Sequence, residues 1–132
     1  MVNRPRSNEC LNQRGRAIPV AEEAEILRIF VSESDKHHGR PLYEAIAEAA
    51  LHAGLAGATV LRGCLGFGAH HRIHTAKILQ ISEKLPMVIE IIDAPERIAA
   101  FLPQLDGLLD HGLATLEKVR VVFQRPSGEQ KP

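Results

Sequence analysis

The chain has 132 residues, 16 Lys+Arg against 16 Asp+Glu, a formal net charge of +0, 45% hydrophobic residues and 4% aromatics. That length suits one domain burying roughly two thirds of its unfolded surface and leaves no room for a second. Neutrality argues against a generic nucleic-acid binder, whose affinity comes mostly from neutralised phosphates, and the shortage of aromatics argues against a stacking platform for single strands.

In chain order, residues 1–22 hold Arg4, Arg6, Arg14 and Arg16 with Pro5 and Pro19, and read as a flexible basic arm. Met1 to Val20 lacks the apolar core of a signal peptide, so Cys10 and Cys64 are expected as reduced thiols of a cytoplasmic protein, with a transit peptide as the alternative. No run approaches the ~20 apolar residues of a membrane span. Residues 23–124 read as the folded domain and 125–132, RPSGEQKP, as a polar tail.

Ile26 to Val31 is β-branched and apolar, the pattern of a first strand. Ser34 to Gly39 makes a polar loop; Pro41 suits the first turn of a helix, and Leu42, Ile46, Ala49, Ala50 and Ala53 recur at helical spacing until Gly54 ends the run. Gly57 to Leu65 reads as a second strand centred on Thr59-Val60-Leu61, with Cys64 as a small core residue. His74 to Glu83 fits either a short helix or a strand extension. Met87 to Ile92 is a third strand, and Asp93 and Pro95 suit the start of a second helix with Ile98, Phe101, Leu102, Leu105, Leu108 and Leu109 inward. Pro103 either kinks that helix or restarts it, and Gly112 closes it. Leu116 to Phe123 is a fourth strand.

The order β-α-β-β-α-β predicts an α+β, ferredoxin-like sandwich: a four-stranded antiparallel sheet with two helices on one face. The second to fourth strands are apolar beyond simple alternation. The open face of the sheet is therefore expected to be covered by self-association with closed symmetry.

Four places carry candidate chemistry. Glycines 63, 66 and 68 permit positive φ and close backbone approach, as anion-cradling loops require. From Arg62 through Ser82 there is no Asp or Glu, while Arg62, Arg72, Lys77, His70, His71 and His74 are present. That locally cationic stretch suits a phosphate-bearing ligand, although it is neither a Walker loop nor a dinucleotide fingerprint and equally describes a bulged hairpin with a basic tip. The three histidines lack a nearby Cys, Asp or Glu to complete a metal site. Ser34, Asp35, His37 and His38 are too close in sequence to form a catalytic triad and read as a turn that caps the first helix. Glu90 interrupts an apolar strand; it either pairs with Arg62, Lys118 or Arg120 across the open face or accepts a hydrogen bond from a ligand.

The segments SESDKHHGRPLYEAI, GLAGATVLRGCLGFG, RIHTAKILQISEKLPMVIEIIDAPERI and LATLEKVRVV, spread over about residues 26–123, resemble the uncharacterised family called domain of unknown function number 190. That family is similar to the PII signalling proteins, whose Gly-x-x-Gly-x-Thr-Val strand and Gly-Phe-Gly are matched here by Gly54, Gly57, Thr59, Val60 and Gly66-Phe67-Gly68, one residue longer. His74-Thr75 resembles a pair in the PII loop, and Ile89-Glu90-Ile91 the PII third strand. The resemblance implies a homotrimer binding adenine nucleotides in clefts between subunits, with a loop over 69–84 that contacts a target protein. It implies that Thr59 and Glu90 face the base, that Gly66, Phe67 and Gly68 begin the phosphate-side loop, and that Lys118 lies near the basic residue ending the nucleotide-binding turn after the second helix. Arg62 joins this ligand set through its place in the cationic stretch; His70, His71, Arg72, His74 and Lys77 form the candidate partner-contact set.

Where PII proteins have Gly-Asp-Gly-Lys, this chain has Leu113-Ala114-Thr115-Leu116-Glu117-Lys118, so AMP or ADP fits better than ATP. The modified Tyr of some PII loops has no counterpart in 69–84. The expected function is a non-catalytic regulator, with an ion-transport membrane protein as a conceivable target because relatives resemble accessories of fluoride exporters. The alternatives are a divalent-metal-binding trimer resembling the cation-tolerance proteins, and a small enzyme supported only by the His-rich loop. An RNA-binding module of the same strand order would need aromatics on its middle strands, whereas the third strand offers none and the fourth only Phe123.

Overall fold

The computed structural model describes residues 10–11, 17–18, 22–68, 73–75 and 84–124. Its principal elements are β1 (Glu22–Ser32), α1 (Leu42–His52), β2 (Thr59–Arg62), β3 (Pro86–Asp93), α2 (Pro95–Leu108) and β4 (Leu113–Val121). The strands form one antiparallel sheet in the order β4-β1-β3-β2. Short pairs join Cys10–Leu11 to Ala17–Ile18, Lys36–His37 to Arg40–Pro41, and Leu65–Gly66 to His74–Thr75. The expected βαββαβ sandwich is the fold observed.

Alternation along the strands builds the core. Leu27, Ile29 and Val31 of β1 and Met87, Ile89 and Ile91 of β3 share one face, and both helices pack on it. From α1 come Leu42, Ile46 and Ala50, and from α2 Ile98, Phe101 and Leu105, each set at helical spacing. No helix among the described residues is long and apolar enough to cross a membrane.

Several boundaries differ from the sequence expectation. β1 begins at Glu22 because its acidic start lies opposite β4: Glu23 faces Arg120 and Glu25 faces Lys118 in the register. β4 starts at Leu113 rather than Leu116, directly after Gly112, whose φ of +129° and 3.0 Å approach to the Phe30 carbonyl oxygen, measured from where a Cβ would sit, make the turn tight. Pro41 is not in the first helical turn. It is the extended residue before it, with φ −54° and ψ 129°, and the Asp35 carbonyl accepts the Leu42 N–H at 2.8 Å. The polar loop does cap α1, through this backbone oxygen. At the other end Gly54, at φ +75°, donates to the Leu51 carbonyl at 3.0 Å, and Leu55 donates to Ala50 at 3.1 Å. That pair of bonds satisfies orphan carbonyls at the helix end and turns Leu55 into the core.

Ala94, not Asp93, is the N-cap of α2. The helix runs unbroken through Pro103, whose missing N–H leaves the carbonyl of exposed Ala99 without its usual helical partner. Cys64 lies beyond β2 as a free, exposed thiol rather than a core residue.

Ile89 is fully buried at the centre of the sheet, whereas Leu51 is 72% exposed. We expect Ile89→Ala to cost about 2–5 kcal/mol in urea unfolding, and Leu51→Ala to stay within about 0.5 kcal/mol of wild type.

Candidate functional site

The residues alternating with the core set form the face turned away from the helices. On it the register sets Glu90 of β3 between Arg28 of β1 and Thr59 of β2. The Arg28 Nε donates to Glu90 Oε1 at 3.2 Å, and its Nη1 donates to Glu117 Oε2 at 2.6 Å. These carboxylates, Glu117 first and Glu90 second, raise the guanidinium above its ordinary pKa and keep it charged.

Glu90 thus lies on the open face as expected, but its partner is Arg28 and not Arg62, Lys118 or Arg120. The strand register explains the difference. Lys118 and Arg120 belong to the opposite alternation of β4, across from Glu25 and Glu23, and Arg62 is taken by Glu33 at 2.5 Å. Phe30, Leu61, Ile92 and Leu113 surround the Glu90–Arg28–Glu117 group and remain exposed.

At one end of this face lies a cleft of about 450 Å³, within the roughly 300–1,000 Å³ of small-molecule sites. Ala24 of β1, Thr59 of β2, and Glu90 and Ile92 of β3 contribute to it from the open face. Ala56, Gly57 and Ala58 line it ahead of β2, while Val121, Phe123 and Gln124 line it from the end of β4 onward. The Asp93 carboxylate pins the first of these segments: Oδ2 accepts the Ala56 N–H at 2.9 Å, and Oδ1 accepts the Ala94 N–H at 2.7 Å. Arg97 adds an ion pair to Asp93 at 3.6 Å and a hydrogen bond to the Gly54 carbonyl. Glu23, Glu90 and Asp93 line the cleft, and among the described lining residues there is no Lys, Arg or His. Its chemistry suits a flat, partly apolar group with donors on its edge better than a bare phosphate.

Of the sequence candidates, Thr59 and Glu90 come together here as cross-strand partners. Arg62 sits three residues further along β2, about 10 Å away at a strand's usual rise. Lys118 stands on the far edge strand, in β4 rather than in a turn after α2, and lines a second cleft of about 210 Å³ with Glu25 and Arg120. With β1 and β3 between them, β4 and β2 are about 14 Å apart.

Gly66, Phe67 and Gly68 lie past the other end of β2, where Gly66 pairs with His74 in a hairpin. Neither Gly63, Gly66 nor Gly68 takes a positive φ. What Gly63 and Gly66 provide is room for Pro86: a Cβ would fall 2.7 Å and 3.0 Å from its Cγ, and the Gly63 N–H donates to the Pro86 carbonyl at 2.7 Å. His70, His71, Arg72 and Lys77 lie outside the described residues. Sequence reasoning missed Glu23, Ala56–Ala58, Phe123 and Gln124 as cleft residues, and took Asp93 for a helix cap. Only the approach of four chain segments at one sheet end reveals them.

Comparison with known proteins gives a consistent picture. The family model described as "Uncharacterized ACR, COG1993" (DUF190) matches residues 24–121. A UPF0166 protein of Aquifex aeolicus is 43% identical over 98 residues, covering 74% of this chain and 92% of its own. Among solved structures, CPII of Thiomonas intermedia K12, a nitrogen regulatory PII-like protein bound to ADP, AMP and bicarbonate, superposes with a TM-score of 0.55 at 16% identity, over 77% of this chain and 91% of that one. A putative PII-like signaling protein of Thermus thermophilus gives 0.55 at 19% identity, over 76% and 90%. At these identities the structural likeness is one of fold.

The glycine contacts carry a prediction. Gly63→Ala forces its methyl group onto the Pro86 ring and should lower stability by about 1–3 kcal/mol. Gly68→Ala, with nothing within 4 Å of the added Cβ, should change it by less than about 0.5 kcal/mol. Chemical denaturation of both variants checks this.

Proposed function

The chain belongs to the DUF190 family, and on that premise we propose that it is a PII-like, non-catalytic regulator whose cleft at Thr59 and Glu90 binds an adenine nucleotide. The observation that carries this reading is the cross-strand Thr59–Glu90 pair lining the 450 Å³ cleft. Thr59 is implicated by the resemblance and Glu90 both by it and by its place in an apolar strand, and their position on one cleft wall supports a base-binding role. CPII, which shares the fold, is bound to ADP, AMP and bicarbonate.

The lining favours AMP or ADP over ATP. Each added phosphate brings negative charge toward Glu23, Glu90 and Asp93 with no cation among the described lining residues to offset it. The turn after α2, Leu109-Asp110-His111-Gly112, also lacks the run of glycine amides that would hold a triphosphate. Cations for the phosphate end would come from an adjoining chain, where Lys118 is a candidate, or from the 69–84 loop.

That need for a second chain accords with a homotrimer. Phe30, Leu61, Ile92 and Leu113 leave an apolar surface on the open face that association would cover. Ligand binding would shift the 69–84 loop between shapes that bind or release a target protein, with an ion-transport membrane protein as one conceivable target.

Calorimetry tests the reading. AMP and ADP should bind, and ATP no more tightly than ADP. Thr59→Val removes a hydroxyl from the cleft and should weaken AMP about 2- to 10-fold, the usual worth of one hydrogen bond. No heat from any adenine nucleotide at millimolar concentration would overturn the proposal.

A further inference from the structure

Resting on the nucleotide reading, we propose that Phe123 is the base-stacking wall of the cleft and sets its preference for a purine. The chain spends its aromatics sparingly, with 4 Phe, 1 Tyr and no Trp. Phe101 is buried in the core, yet Phe123 is 70% exposed and lines the cleft beside Gln124. It follows β4, so the strand that ends at Val121 delivers its ring to the rim.

Ala56, Gly57 and Ala58 line the same cleft with almost no side chain. An aromatic ring together with a stretch of such small residues suits a planar group, and aromatic faces attract nucleobases by dispersion and offset stacking. Thr59 and Glu90 supply the polar atoms that a base edge requires, so the cleft combines a surface for the ring's face with partners for its edge. Gln124, next to Phe123, adds an amide that can donate to or accept from the base or its sugar. A larger base covers more of an aromatic ring, and the proposed preference for purine over pyrimidine follows from that area.

The test uses the full chain and three variants. Wild-type protein should bind AMP more tightly than CMP in calorimetry. Phe123→Ala should weaken AMP by about 5- to 150-fold, the usual range for one base on one aromatic, and narrow the gap between AMP and CMP. Phe123→Tyr should retain both the affinity and the preference. Phe123→Trp introduces the only tryptophan of the chain, and its emission should change saturably with AMP at the concentration that calorimetry gives.

If wild type binds AMP but Phe123→Ala binds within two-fold of it, with the AMP/CMP ratio and the Phe123→Trp emission unchanged, the stacking role is overturned and the nucleotide reading survives. Absence of nucleotide binding by wild type overturns both. Circular dichroism of each variant separates a lost contact from a lost fold, and the Tyr and Trp variants decide the matter if the Ala variant does not fold.

Discussion

The register of β1 against its two neighbours is the constraint on which the molecule depends. β1 lies inside the sheet, paired with β4 along Glu22 to Phe30 and with β3 along Glu25 to Ser32. Side chains alternate with a period of two, so a slip of one residue would turn Leu27, Ile29 and Val31 out of the core and Arg28 into it. An unpaired guanidinium among Ile89, Ile91 and Phe101 would be far costlier than any surface change. The same register sets Arg28 within reach of Glu90 and Glu117 on the open face. Core formation and the electrostatics of the open face are thus consequences of one alignment.

The cleft follows from that alignment. Antiparallel pairing brings the start of β1, the end of β3, the start of β2 and the end of β4 to one side of the sheet, and the Asp93 carboxylate ties the segment before β2 to the end of β3. The resulting concavity holds acids and small residues with one aromatic. The cations proposed for ligand binding stand outside its lining: Arg62 with Glu33, and Lys118 on the opposite alternation of β4, in the second cleft. On the proposed reading, one chain would offer a surface for a base and a sugar, and the phosphate end would call for residues brought by association or by the loop. This division is the physical reason for linking ligand binding to assembly.

Much of this architecture was legible in the sequence. The runs Ile26–Val31 and Met87–Ile92, the helical spacing of Leu42, Ile46 and Ala50, and the stop at Gly54 placed the elements in order. Glu90 could be assigned to the open face because it interrupts the apolar run between Ile89 and Ile91, in step with a period of two. Its partner could not, since choosing Arg28 over Arg62, Lys118 or Arg120 depends on strand pairing that no local pattern encodes. The glycines at 63 and 66 were visible as a motif, but their cause is the proximity of Pro86, about twenty residues away in the chain. Phe123, Gly57 and Ala58 read as strand residues; with Ala56 they come to line the cleft only when the ends of β1, β2, β3 and β4 meet.

The most direct test of the central claim is a crystal structure of the protein grown with ADP. The account predicts density for the base in the cleft, its edge toward Thr59 and Glu90 and its phosphates directed out of the acidic lining toward cations of a neighbouring chain or of the 69–84 loop. ADP bound at the Gly66–Gly68 hairpin with the cleft empty, or phosphates seated against Glu23 and Asp93, would contradict it.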